Sequence, residues 1–589
     1  MFDFFVSLND NACRNPFDII SPDEFNAVGF EYRQGKINVF GLYRRSGWKP
    51  LVKDGYLFFV YGNIFKRNHL QNSFEKPVQA EIMSDIISDR NNVNKYKGNF
   101  ILVLIDTKAE SITVLNSQLG IKHAYYYNTE KEFYVSSNLN FIRSVNNEIN
   151  YGTVLQYLLF TYPVDGSTFL NSVKLLNPGE ILEYRKALQI SRYYDIRNMF
   201  GKSLIKFDIN EYIYRFNKSV EQKYSFGENV YASFTGGFDG RTIISYLLKS
   251  GKDFKTYSFG KKNGENTSVP QSVSDKLKMN YSPVYLDEDY VKSYVGNAMK
   301  VIYYSDGLSF NERANYIYSF SELTKSTNCV ISGLIGGETL RPVHLRTDYM
   351  NQNYFDIFYS NTEQDLGSML SLKYPNELFD FRLNDFIDEI KNTADRKKKG
   401  ITELRTNYGY LFYLIDLMQG GFRMYYGTEI HYERYYCENL TPYYDLDLLE
   451  YLYSTDYVKI FENAFRHNRI FRWKGQKIYA KIIKANYPLL NDYPVDRGYP
   501  PGYLLNPLKF AAVPFLYTKR KRNRGDKPDF TEYEWSKYFL RDYLGRDYNT
   551  GLINDNFLKV KVKNYLNDNS EHDSALTRLV SLQTWLNIK

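Results

Sequence analysis

Short runs of aromatic and β-branched residues, broken by polar and turn-forming residues, dominate the chain from residue 1 to about 195. They predict strands over Ile37–Tyr43, Tyr56–Tyr61, Phe100–Asp106, Ser111–Asn116, Ala124–Tyr127 and Glu132–Ser136. Asp106-Thr107-Lys108 and Asn128-Thr129-Glu130-Lys131 separate neighbouring runs as hairpin turns do, so antiparallel pairing is expected. From about residue 205 the rhythm changes. Val230–Phe234, Phe254–Phe259, Ser282–Leu286 and Cys329–Ser332 read as strands with longer helical stretches between them, one starting over Thr242–Leu248. That alternation predicts an open parallel sheet covered by helices. Beyond about residue 370 the pattern is mainly helical.

Composition narrows the class. The 589 residues are 43% hydrophobic and 24% charged, which fits a globular protein and excludes a mainly disordered or collagen-like chain. No apolar run reaches the length of a membrane span, and the start MFDFFVSLNDNACRN lacks a basic leader region. A cytoplasmic enzyme without a membrane partner is therefore expected. Cys13, Cys329 and Cys437 are far apart and histidines number six, which argues against a disulfide framework or a cysteine- or histidine-based metal centre. The net charge of +8 favours an anionic partner such as a nucleotide or phosphate. Tyr at 57 and Phe at 41 serve either half-buried strand faces or an aromatic groove for a peptide or sugar. The basic run Lys519–Arg524 reads as solvated surface, and no nucleic-acid partner is expected.

The stretch Tyr231-Ala232-Ser233-Phe234-Thr235-Gly236-Gly237-Phe238-Asp239-Gly240-Arg241 carries the most chemistry. A strand ends, two glycines turn, and a helix begins. Such a turn gathers backbone N–H groups at a positive helix N-terminus, and glycine lets an anion approach the backbone closely. Thr235 adds a hydroxyl. Asp239 either caps the helix or holds Mg²⁺ between phosphates.

Phe234-Thr235-Gly236-Gly237-Phe238-Asp239-Gly240 resembles the S-G-G-x-D-S pyrophosphate loop of the asparagine synthetase family. Further stretches resemble that family in order and spacing. They are Gly98–Asp106, Leu119–Tyr126, Tyr134–Ser137, Lys174–Gly179, Ser332-Gly333-Leu334-Ile335-Gly336-Gly337-Glu338 (against S-G-x-G-x-D-E) and Glu438–Asp445 (against E-x-R-x-P-F-L-D). The resemblance implies two domains of α/β and α+β class. Residues 1–200 would form a glutaminase-like (Ntn-type) αββα β-sandwich. Residues 205–589 would form a parallel-sheet adenylating ATP-pyrophosphatase domain with added helices. It also implies ATP and Mg²⁺ as cofactors and a carboxylate-bearing substrate, activated as an acyl-adenylate and attacked by an amine. Phe234, Thr235, Gly236, Gly237, Asp239, Gly240, Arg241, Phe259, Ser332 and Gly333 would hold ATP and its pyrophosphate. Asp239 and Glu338 would hold the metal. Arg497, within Asp496-Arg497-Gly498-Tyr499, would supply a late catalytic cation, with Lys474 and Lys477 as competitors.

Departures from the pattern reshape this expectation. Position 2, where the glutaminase nucleophile belongs, is Phe2, and Cys13 reads as an ordinary thiol. Glutamine hydrolysis is expected to be lost, leaving the first domain as scaffold or docking surface. The amine then comes from elsewhere, as in β-lactam synthetases and lasso-peptide cyclases, or as free ammonia. Gly240 lacks the loop's last hydroxyl, and Arg241 either replaces it as a donor or faces solvent. Gly337 lacks one metal carboxylate. Glu338, beside it, either takes the metal or is a helix N-terminal carboxylate. Leu334 cannot move a proton. Two function classes follow: an AMP-forming amide ligase, or a non-catalytic relative that binds nucleotide or peptide as a carrier or assembly partner. The substrate is a small molecule, a sugar or a peptide, with a precursor peptide or partner protein as a further expectation.

Overall fold

The computed structural model describes residues 2–588 apart from 10–14, 20–24, 26, 46, 68–76, 202, 342–350, 361–364, 464–468, 525–531 and 568–572. Cys13 lies outside the described residues.

Among the described residues the N-terminal part holds twelve strands. They are β1 (Asp3–Leu8), β2 (Ala27–Gln34), β3 (Ile37–Arg44), β4 (Leu51–Lys53), β5 (Tyr56–Lys66), β6 (Tyr96–Asp106), β7 (Ser111–Asn116), β8 (Tyr125–Asn128), β9 (Phe133–Ser136), β10 (Val173–Leu175), β11 (Glu180–Tyr184) and β12 (Leu188–Arg192). They form two six-stranded antiparallel sheets, ordered β10-β8-β9-β1-β3-β2 and β12-β11-β7-β6-β5-β4. Alternation decides which face is buried. Phe4, Val6, Val39, Phe59, Ile101 and Val103 fill the space between the sheets. The intervening Phe58, Val60, Phe100 and Leu102 face the helix Gln79–Ser88. The helices Leu139–Arg143 and Tyr151–Phe160 contribute to the core on the outer face of the first sheet. The result is the αββα sandwich. Both expected hairpins form: Asp106 Oδ1 accepts from the Lys108 and Ala109 amides at 3.0 and 2.9 Å, and Thr129 Oγ1 from those of Lys131 and Glu132 at 3.3 and 3.1 Å.

The second part is built on β13 (Tyr231–Ser233), β14 (Lys255–Gly260), β15 (Tyr281–Tyr285), β16 (Cys329–Ile331) and β17 (Glu438–Leu440), all parallel and ordered β15-β14-β13-β16-β17. Helices make up nearly all the rest. The two parts share one continuous core, in which Phe2, Phe40 and Phe160 belong with Phe234 and Tyr435.

Buried polar links cross between them. Asp445 accepts from Lys97 and Lys223, each at 2.9 Å, and all three side chains are buried. Burial alone would push the Asp445 carboxyl up; the Lys223 and Lys97 ammonium groups outweigh it and hold the carboxyl well below the usual carboxylate range. Glu438 accepts from Lys122 and from Asn63 Nδ2, both at 2.9 Å. Asp3, at the start of β1, accepts from the Tyr435 hydroxyl at 2.6 Å and Arg434 Nη2 at 3.3 Å. Glu438 thus ties the sandwich to the parallel sheet, which accounts for its place in the motif.

Candidate active site

The parallel sheet fixes where a ligand would sit. From β13 the chain moves outward to β14 and β15, then returns to the other side as β16. The connections leave the carboxyl ends of β13 and β16 in opposite directions, and open α/β sheets bind ligands in the crevice that results. Both glycine-bearing loops of the sequence emerge there. The loop after β13 runs into the helix Asp239–Lys249, and the loop after β16 runs into the short helix Gly336–Leu340.

The two loops meet backbone to backbone. A Cβ on Gly333 would stand 2.6 Å from Asp239 Cβ and 2.9 Å from the Gly240 amide nitrogen, and one on Gly336 would stand 2.7 Å from Asp239 Oδ1. Small residues at 333 and 336 are what let Asp239 reach the second loop. Its Oδ1 is buried there without a hydrogen-bond partner. Ile335, which stands at a glycine of the matching pattern, holds a left-handed φ of 64°, a conformation β-branched residues rarely adopt. Glu338 sits in the first turn of the second helix. Its carboxyl is raised above the usual range by burial and then by the Asp239 carboxylate.

Cations complete the cluster. A Cβ on Gly337 would stand 2.8 Å from Arg341 Nη2, so the guanidinium occupies the space where a carboxylate side chain at 337 would begin. Burial works against the Arg341 charge, but Tyr479, Asp239 and Glu338 outweigh it and raise its pKa. With its amide oxygen turned toward the guanidinium groups, Gln476 accepts from Arg341 Nη1 at 3.2 Å and from Arg497 Nη1, and donates to the Tyr499 hydroxyl at 2.7 Å. Arg497 is brought to the first loop by its neighbour, for the Asp496 amide donates to Gly236 O at 2.8 Å. The Tyr479 hydroxyl donates to Gly336 O at 2.8 Å, and that of Tyr443 to Asp239 O at 3.2 Å.

The other expected residues divide. Thr235 is exposed at the loop tip, and Gly237 beside it would meet only the Thr235 hydroxyl, at 3.5 Å. Ser332 donates to Asn439 Oδ1 at 2.7 Å and so joins β16 to β17. Phe234 is fully buried, its amide bonded to Tyr257 O at 2.7 Å, so its ring belongs to the core and leaves only backbone for a ligand. Phe259 packs edge-on to Tyr316 at 5.3 Å.

Arg241 corrects both of its expected roles. It neither reaches the loop nor faces solvent. It is fully buried, and its guanidinium donates to the carbonyls of Leu490 (3.3 Å), Tyr493 and Pro494 (2.9 Å). The helix carries it away from the loop, where it fastens the 490–494 segment. Gly240 is also more than a lost hydroxyl: a Cβ there would lie 2.1 Å from Ser233 O, so no side chain fits. Lys477 lies 5.0 Å over the Phe510 ring, the Lys474 side chain is outside the described residues, and Leu334 packs against the core. Of the two late cations whose side chains are described, Arg497 is the one linked to the cluster.

A metal fits this donor set in one way. Among the described residues no group of three or more His, Cys, Asp or Glu converges on one point. Asp239, with an unpartnered oxygen, and Glu338 offer two carboxylates. That suits Mg²⁺, which keeps waters and takes substrate phosphates as its other ligands.

The glutaminase position has a different fate. Phe2 is 3% exposed, its ring is edge-on to Tyr435 at 6.0 Å and under the Arg44 guanidinium at 5.1 Å, and its amide donates to Leu42 O at 3.0 Å. A cavity of about 130 Å³ remains beside it, walled in part by Trp48, Phe226 and Cys329.

Residues 44–194 match the family model of the glutamine amidotransferase domain. The matched residues make up most of the sandwich, and Phe2 lies outside them. No curated protein matches the chain. Solved structures similar to it include the glutamine phosphoribosylpyrophosphate amidotransferase of B. subtilis (9% identity, 48% of this chain and 65% of that one, TM-score 0.22). An allosteric regulatory enzyme of purine biosynthesis is another (10%, 48% and 80%, TM-score 0.24). A third is the NMN synthetase of Francisella tularensis (13%, 39% and 97%, TM-score 0.20). The chain thus spans less than two thirds of the B. subtilis enzyme's length. No described helix is long and apolar enough to cross a membrane.

Proposed function

We propose that the chain is an ATP-dependent, AMP-forming amide ligase of the asparagine synthetase type. It would activate a substrate carboxylate as an acyl-adenylate and deliver it to an amine that does not come from its own glutamine hydrolysis. One observation carries the reading: the buried, unpartnered carboxylate oxygen of Asp239 stands at the sheet's switch point, beside Glu338 and Arg341, which Gln476 links to Arg497.

Each group has a task on this reading. The loop Thr235–Gly237 receives the triphosphate, Gly237 leaving it room. Mg²⁺ held by Asp239 and Glu338 would neutralise charge that builds on the departing pyrophosphate. Arg341 and Arg497, joined by Gln476, hold the phosphates and the carboxylate in line without reorganising as the reaction proceeds. The 1–200 unit then serves as a docking surface, and the 205–589 unit carries the chemistry. With Phe2 in the core, the amine belongs to the substrate or is free ammonia. Macrolactam closure of a ribosomal peptide, a β-lactam-like ring and amidation of a sugar acid all fit.

A second reading, a non-catalytic nucleotide- or peptide-binding relative, is favoured by Leu334, which leaves no proton acceptor at that position. Carboxylate-dependent release of AMP and pyrophosphate separates the two. Asp239→Ala should lower it about a thousandfold, on the order of 4 kcal/mol of transition-state stabilisation. ATP binding without products over hours would leave the second reading standing.

A further inference from the structure

A cavity of about 280 Å³ lies between the sandwich and the helical part, and none of its walls belongs to the glycine loops. The 162–166 and 175–178 segments wall one side, and Gln419, Gly420 and Arg423 wall the other. Gln419 and Gly420 lie in a wide helical turn, Leu417–Gly421, between Phe412–Asp416 and Phe422–Glu433. Such turns recur at functional sites. A Cβ on Gly420 would meet nothing within 4 Å.

The cations on this lining differ in their pairing. Lys397 is paired with Asp416, and Arg192 with Glu180 at 3.2 Å and Asp195 at 3.7 Å. Arg423 is 2% exposed and forms no ion pair with a described residue. Its Nη2 donates to Leu176 O, and its Nε is buried without a partner. Burial pushes its pKa down to about 10, and the nearby Tyr125 and Glu180 offset this only in part. An uncompensated buried charge is strongly unfavourable unless something pairs with it. The Tyr162 hydroxyl on the same lining is near Tyr354 but makes no hydrogen bond of proper geometry.

We propose that this cavity binds a small organic monocarboxylate, with Arg423 as its counter-charge. Arg423 offers one unpaired cation to a monoanion, and Asp165 and Asp195 on the lining disfavour a dianion. Arg423 begins the helix Phe422–Glu433, and Tyr426, one turn on, bonds Glu338. An occupant therefore sits one helical turn from the nucleotide crevice.

Ligand-observed NMR and calorimetry on the full chain test this with butyrate, its neutral isostere butyramide, and inorganic phosphate. Butyrate should bind. Butyramide, phosphate and the variant Arg423→Gln should each weaken binding at least about thirtyfold, and Arg423→Lys should recover most of it. Gly420→Leu fills the space without touching the guanidinium and should abolish binding in a protein whose melting temperature is unchanged. Absence of butyrate binding, or binding indifferent to both Gly420→Leu and Arg423→Gln, overturns the proposal. It does not rest on the ligase reading, because the readout is binding. If saturating carboxylate triggers AMP formation the occupant is a reacting group; if not it is a separately held one, and binding lost in Gly420→Leu supports the site in either case.

Discussion

By resemblance, catalytic groups are expected at two places in this molecule, and the surroundings of the two differ. At the start of β1 the nucleophile's position is a buried ring, and Asp3 beside it has hydrogen bonds to Tyr435 and Arg434. At the ends of β13 and β16 a carboxylate oxygen is buried with no partner, beside a second carboxylate and the Arg341 guanidinium. Unsatisfied buried groups are unfavourable, and the first place is not free of them, since Arg434 Nε lacks a partner. What sets the second place apart is that the unpartnered atom is a carboxylate oxygen between two glycine loops. The departures at 240 and 337 read differently in that light. Gly240 permits the contact with Ser233, and Gly337 makes room for Arg341.

The comparison can be broken at several points. Asp445 ties the two regions together, and Asp445→Ala would leave the buried Lys223 ammonium unpaired and Lys97 with Asp447 alone. A loss of about 3–5 kcal/mol is expected in urea unfolding. Because its folded carboxyl titrates below the unfolded value, the contribution is whole above about pH 4 and drains away as pH falls below that. A loss under about 1 kcal/mol would show that the regions are not joined there. Gly240→Ser restores the motif's hydroxyl but should cost about 1–3 kcal/mol by overpacking against Ser233, together with nucleotide binding. Gain of binding would reverse the reading of that glycine.

Asp306 offers a pH-dependent test of the interface. It accepts from the Leu139 amide at 3.0 Å and contacts His431 Nε2 at 2.8 Å, and burial pushes its carboxyl up to about 7. A folded value above the unfolded one of about 4 means a proton is taken up on folding between them. This group's contribution therefore falls as pH rises from about 4 to about 7. His431, held neutral by burial, acts oppositely below about pH 6.5. Relative to Asp306→Asn, the wild type should lose stability from pH 5 to 7 in unfolding midpoints; a constant difference contradicts the shift. The smallest effect is expected from Phe2→Cys, which should release no glutamate from glutamine above background. Measurable hydrolysis would mean that the first site is dormant rather than lost.

Much of the frame was legible. Ser111–Asn116 is a strand over its full expected span, and the helix expected over Thr242–Leu248 begins at Asp239, because the glycine turn leads straight into it. The missed strands have physical reasons. β2 alternates strongly in exposure but contains Gly29 and charged positions, and β4, β10 and β17 have only three residues each. Asp239 and Glu338 were visible because local motifs carry them. Arg341, Gln476 and Tyr479 were not, since they reach the site through tertiary packing from a helix well over a hundred residues downstream of β16 or from a position the motif leaves blank. Arg241 was misread because adjacency to a loop says nothing about which way a helix turns its next residue.

The most direct measurement is a crystal structure with a nonhydrolysable ATP analogue and Mg²⁺. The account predicts phosphate density along Thr235–Gly237, the metal against Asp239 and Glu338, and Arg341 or Arg497 on phosphate oxygens. Nucleotide bound in the sandwich or elsewhere on the sheet, with Asp239 Oδ1 still unpartnered, would contradict it.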